Sequence, residues 1–140
     1  MNGVARFSVS VEPELLADFD RLVEAGGHST RSEAVKQLMR GALVDRVWSV
    51  GGVVAGAILL VYDHHRRDLV QRLMDVQHEF GDTVISTQHV HLDHDTCMEV
   101  ITLRGETAQI QALVTTIRGI KGLKHCSLVT TATERKYHES

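Results

Sequence analysis

The chain has 140 residues, 15 Lys plus Arg against 18 Asp plus Glu, and a formal charge of −3. That length holds one domain or two small ones, and that charge excludes a protein that coats nucleic acid by bulk electrostatics while leaving room for a local DNA-reading surface. Hydrophobic residues at 43% and charged residues at 24% exclude wholesale disorder, and two cysteines are too few for a disulfide-stapled scaffold. Histidine carries the compositional signal: there are nine, and all but His28 follow residue 60.

Residues 5–11 alternate strictly, with Phe7, Val9 and Val11 on one face and Arg6, Ser8 and Ser10 on the other. The pattern predicts a half-buried strand. Pro13 stands at a helix start, and Leu15, Leu16, Phe19, Leu22 and Val23 recur at helical spacing up to Gly26-Gly27. Thr30-Arg31-Ser32-Glu33 has the form of a capping box, followed by a second apolar stripe of Ala34, Val35, Leu38, Met39, Ala42 and Leu43. A lone strand leaves its backbone groups unpaired, and so short a unit buries little core. Twofold pairing of two copies of the strand answers both needs. The paired ribbon then presents Arg6, Ser8 and Ser10 outward, either as a solvated face or as side chains suited to base edges in a major groove.

The longest uncharged run, Val47 to Tyr62, spans sixteen residues and contains three glycines. A membrane span needs roughly 18–20 apolar residues, so the run reads as a linker over 47–54 leading into a buried strand. No signal-peptide pattern opens the chain, and a cytoplasmic location with no membrane attachment is expected. From residue 55 the pattern reads as strand 55–62, helix 66–80, strands 83–92 and 97–103 around a turn at Asp93-His94-Asp95, helix 106–118, and strand 123–131. That order, βαββαβ, is the split-βαβ, ferredoxin-like arrangement, with helices on one face of an antiparallel sheet. The expected class is α+β: a small βαα unit over 1–46, the linker 47–54, and the βαββαβ unit over 55–140.

His89 and His91 are two apart on a predicted strand, so their imidazoles share a face. Cys97 opens the next strand across a tight turn, and His78 lies near the end of the preceding helix, whose edge can approach another subunit. A thiolate with two or three imidazoles is a donor set for a late first-row metal, whereas Ca²⁺ or Mg²⁺ would want oxygens. Ligand type alone leaves Zn²⁺, Ni²⁺ and Cu²⁺ open. His94, in the turn, is an alternative ligand or an exposed turn residue. Glu99 shares a face with Cys97 and is either a general base for a zinc-dependent metalloenzyme or a partner that orients an imidazole. His64, His65 and His138 read as solvated or as outer partners of the site, and Cys126 as a small buried hydrophobe on the face opposite His125.

The run HVHLDHDTC (89–97), with Gln77-His78 before it and Tyr62-Asp63-His64-His65-Arg66-Arg67-Asp68-Leu69 further upstream, resembles the nickel-responsive transcriptional regulators of the NikR family. ARFSVSVEPELLADFD with Arg31-Ser32-Glu33-Ala34 is similar to their ribbon-helix-helix DNA-binding domain. The resemblance covers residues 5–132. It implies a square-planar Ni(II) site of His89, His91 and Cys97 from one subunit and His78 from a neighbour. It implies a homotetramer built on ACT-like domains and flanked by two dimeric DNA-binding domains, with double-stranded operator DNA as partner. Arg6, Ser8 and Ser10 match the positions that face the major groove, and Tyr62, His64, Gln77 and Glu99 match positions around the ligands. A nickel-responsive regulator that represses nickel-uptake genes, and not an enzyme, is the function so implied. An ACT-type sensor of a small metabolite, with incidental histidines, is the remaining alternative.

Overall fold

Residues 3–133 are described by the computed structural model, so the reading of His138 lies outside the described residues. They divide into two compact units between Gly41 and Ala42.

The first unit holds α1 (Pro13–Ala25) and the start of α2 (Arg31–Val50). Pro13 sets the first turn of α1, where its missing N–H costs nothing. Gly26 ends the helix, and Gly27, at φ 73°, takes the left-handed conformation that β-carbons disfavour. Thr30 Oγ1 accepts the Glu33 N–H at 3.1 Å, which is half of the predicted capping box. The reciprocal half is replaced by an ion pair from Lys36 to Glu33 at 3.0 Å. Arg31 grips Asp20 with two bonds of 2.9 Å, tying α2 to α1. That guanidinium holds the Asp20 carboxyl below the usual carboxylate range.

The strand expected at 5–11 does not form in the single chain: residues 3–12 have no ladder partner. Phe7, Val9, Val11, Leu15 and Leu22 stay exposed. A strand is a property of a pair, and one copy of this unit supplies only one edge.

The second unit is a four-stranded antiparallel sheet of order β2-β3-β1-β4, made from β1 (Val53–Asp63), β2 (Val84–His91), β3 (Thr96–Glu106) and β4 (His125–Ala132). Helices α3 (Arg67–Glu79) and α4 (Thr107–Arg118) cover one face. The order βαββαβ and the central pair β1 and β3 are those expected of the ferredoxin-like, ACT-like class. The core lies under the helices: Ile58, Leu60, Ile101, Leu103, Leu69, Leu73, Ile110, Leu113 and Ile117 are fully or almost fully buried.

Of the segment read as a linker, Val47–Val50 form the last turn of α2, Gly51 and Gly52 turn the chain at φ 93° and 143°, and Val53 opens β1. Val47 and Trp48 pack on the core, and Trp48 Nε1 donates to the Thr131 carbonyl at 2.9 Å. This tertiary anchoring extends the helix past the point where its apolar spacing fades. Among the described residues, no helix is long and apolar enough to cross a membrane.

Candidate metal centre

The β2–β3 ladder sets His91 opposite Cys97 and His89 opposite Glu99. Tyr62 and Leu60 of β1 stand beside Cys97 and Glu99 in turn, so these side chains occupy neighbouring rows of one sheet face. It is the helix-covered face, at the edge where β2 ends the sheet. There Cys97, Glu99 and Tyr62 are buried, while His89 and His91 are exposed.

A charge at 1% exposure must be fully bonded, and Glu99 is. Its Oε1 accepts from Tyr62 Oη at 2.9 Å and lies 3.0 Å from His89 Nδ1, and its Oε2 accepts from Gln77 Nε2 at 2.7 Å. Thr87 Oγ1 donates to Gln77 Oε1 at 2.7 Å, fixing the amide that faces Glu99. Burial, then the charge of Glu99, push the Tyr62 phenol far above its ordinary range, so it stays a neutral donor. Both Glu99 oxygens are therefore committed to neighbours.

His64 lies beside this face, its ring stacked on His91 at 4.7 Å and 17°, and its Nε2 donates to the His94 carbonyl at 2.7 Å. His78 is exposed in the last turn of α3, next to Gln77. Within the single chain, His78, His89, His91 and Cys97 do not bring three ligand atoms within 4.8 Å of one another. Among the described residues the group that does so is His65, His94 and Asp95.

Sequence reasoning missed Thr87 and Asp95. Thr87 belongs to the 87-89-91 alternation on β2, a signal the strand pattern carried, and Asp95 lies in the predicted turn beside His94. Cys126 pairs with Leu60 and packs on the core while His125 faces the other way, as expected; burial pushes its thiol up. Arg6, Ser8 and Ser10 are exposed in the N-terminal segment.

Donor chemistry fits a borderline divalent metal. Glu99 can accept a hydrogen bond from His89 Nδ1, which leaves the Nε2 lone pair of that ring for a metal. Cys97 supplies a sulfur directly across from His91, at a position where a thiolate would gain from a bound cation.

Comparisons with known proteins agree over most of the chain. Residues 55–131 match the family described as the NikR C-terminal nickel binding domain, and residues 5–45 match the ribbon-helix-helix proteins of the copG family. A protein of Chlorobaculum tepidum named as a nickel-responsive regulator is 48% identical over 128 residues, covering 91% of this chain and 96% of its own length. Relatives with the same name from Pyrococcus abyssi and Geobacter sulfurreducens are 43% and 44% identical, over 95% and 99% of this chain and 97% and 100% of their own lengths. An uncharacterized protein of Thermotoga maritima, at 14% identity, shares the fold with a TM-score of 0.52 over 56% of this chain and 98% of its own.

Proposed function

The chain belongs to the family of nickel-responsive transcriptional regulators, and from this premise we propose that Ni(II), bound by His89, His91 and Cys97 of one subunit and His78 of a neighbour, sets its affinity for an operator. It is a regulator and not an enzyme. We assign residues 1–46 to DNA binding, 47–54 to the connection, and 55–140 to metal binding and assembly as a homotetramer. Arg6, Ser8 and Ser10 read double-stranded operator DNA, and the cytoplasmic protein represses nickel-uptake genes when nickel is abundant.

The observation that carries this reading is the pairing of His91 with Cys97 and of His89 with buried Glu99 across one turn. When bound, Ni(II) supplies a cation that draws on thiolate and imidazole lone pairs together. The chain does the rest. Glu99 holds the His89 ring with Nε2 free, Tyr62 and Gln77 hold Glu99, and Thr87 holds Gln77. Because Gln77 precedes His78, this network ties a subunit's own ligand face to the helix end that serves a neighbour's site. A donor from across an interface favours those arrangements of the assembly in which it can reach, and any arrangement that matches operator half-sites then gains population.

His89→Ala tests the reading in a gel shift with and without Ni(II). Wild type binds its operator more tightly with Ni(II), and the variant binds equally with and without it. A nickel response retained by His89→Ala overturns the assignment. Titration with Ni(II) gives a thiolate charge-transfer absorption that Cys97→Ser removes.

A further inference from the structure

His91 and Cys97 form the last pair of the β2–β3 ladder, and they are not held alike. Cys97 is buried on β3, which has a strand on each side. His91 ends β2, the edge strand, where β3 is its only ladder neighbour. The His64 ring stacks on the His91 ring, which orients the imidazole but does not fix its backbone. What fixes His91 against Cys97 is therefore the turn over residues 92–95.

Tight hairpin turns commonly rely on glycine or asparagine at positive φ. This turn, Leu-Asp-His-Asp, has no glycine and no residue at positive φ. A side chain gathers its backbone donors instead. Asp93 Oδ1 accepts the N–H of Asp95 at 2.9 Å and of Thr96 at 2.8 Å, and the Leu92 N–H donates to the Thr96 carbonyl at 2.9 Å. One carboxylate oxygen shared by two N–H groups is a charge-assisted brace of the kind that shapes Asx turns. From outside, the His64 N–H donates to the Asp95 carbonyl at 3.2 Å and His64 Nε2 to the His94 carbonyl at 2.7 Å. Those bonds tie the turn to the end of β1 and leave the spacing of its two arms to Asp93.

We propose that Asp93 is a positioning residue for the ligand His91, as Glu99 is for His89. The proposal rests on the nickel reading above and adds a second means of holding a ligand. The His89 ring is set by a side-chain contact to Glu99, whereas His91 is set by the backbone of the turn. A metal site tolerates about 0.5 Å of misplacement, and a one-residue slip of β2 would carry His91 to the other face of the sheet. Because Asp93 acts through backbone N–H groups, what matters is its acceptor oxygen and not its charge.

Two variants separate these contributions: Asp93→Ala removes the acceptor, and Asp93→Asn keeps Oδ1 while removing the charge. Asp93 is exposed, and in Asp93→Ala the freed N–H groups turn to water, so both variants fold. In the metal-free, full-length chain the amides of Asp95 and Thr96 exchange with solvent faster in Asp93→Ala than in wild type or Asp93→Asn. Nickel affinity, measured by competition with a chelator, falls about tenfold in Asp93→Ala, and its thiolate charge-transfer band shifts. Asp93→Asn keeps the affinity and band of wild type. Unchanged amide exchange in Asp93→Ala, or faster exchange with affinity and band unmoved, overturns the proposal. Equal losses in both variants overturn it as well, since the charge would then be what counts. A wild type that gives no thiolate band overturns the nickel reading, and with it the ligand role of His91, while the exchange data still show whether Asp93 braces the turn.

Discussion

Glu99 and His89 face each other across the β2–β3 ladder, with a carboxylate oxygen of the one 3.0 Å from Nδ1 of the other. Glu99 is buried and His89 exposed, so a fixed charge inside the fold orients a ring whose far edge meets solvent. That is the arrangement by which an outer partner both holds a ligand and raises its basicity.

Replacing Glu99 by Gln keeps the size of the side chain and removes the charge. The amide can accept from only one of its two arms, so Tyr62, Gln77 and His89 no longer all find an acceptor. Nickel affinity, measured by competition with a chelator, falls about ten- to hundredfold, and operator binding without nickel stays as in wild type. Undiminished nickel affinity would show that Glu99 serves packing alone.

Much of this architecture was legible from residue patterns, because each element of the second unit buries a regular stripe. Leu69, Leu73 and Val76 mark α3, and Ile110, Leu113 and Ile117 mark α4, at spacings a helix dictates. The H-x-H strand and the cysteine after the turn landed on one face because strand alternation and a tight turn leave little freedom. The end of α2 was not legible. Val47–Val50 are held helical by Trp48, whose indole bonds Thr131 from 83 residues away, and no local pattern reports such a contact. Nor was the absence of a strand at 5–11, since alternation describes a surface ready to pair and not the partner. The His65–Asp95 contact joins two turns that are distant in sequence, so it needed the register of β1 on β3 to be seen.

Gly56 lies on the core face of β1, and a β-carbon there would sit 2.7 Å from the Val129 carbonyl and 3.6 Å from the Trp48 ring. The near neighbour is backbone of the adjacent strand and cannot swing aside. Gly56→Ala therefore destabilises the fold by about 1–3 kcal/mol through overpacking. Gly105→Ala meets only Thr83 at 3.4 Å and costs less. Urea unfolding followed by circular dichroism compares the two, and equal midpoints would contradict the steric argument.

The Asp20 carboxyl is held below its ordinary value by Arg31. A carboxyl lowered on folding contributes stability above its unfolded value of about 3.9 and loses it as pH falls through the folded value. Both groups are solvent-exposed, so salt screens the effect and the loss is small. Arg31→Gln returns the Asp20 midpoint to the ordinary range in an NMR titration of its side-chain carboxyl carbon. A midpoint that does not move would assign the shift to something other than Arg31.

Arg6, Ser8 and Ser10 alternate with Phe7, Val9 and Val11 in an N-terminal segment whose apolar face is left exposed in one chain. Pairing two copies would cover that apolar face and double the polar one, so a chain of net charge −3 could still grip DNA through a small basic patch. Arg6 is its one guanidinium, and a bidentate contact to a base edge is worth about 1–3 kcal/mol. Arg6→Ala should thus weaken binding to the operator about ten- to hundredfold, weaken binding to unrelated duplex much less, and leave nickel stoichiometry unchanged. Parallel gel shifts on both duplexes at fixed salt decide it. An equal loss on both would make Arg6 a phosphate contact, with sequence then read by Ser8 and Ser10 or by the shape of the DNA.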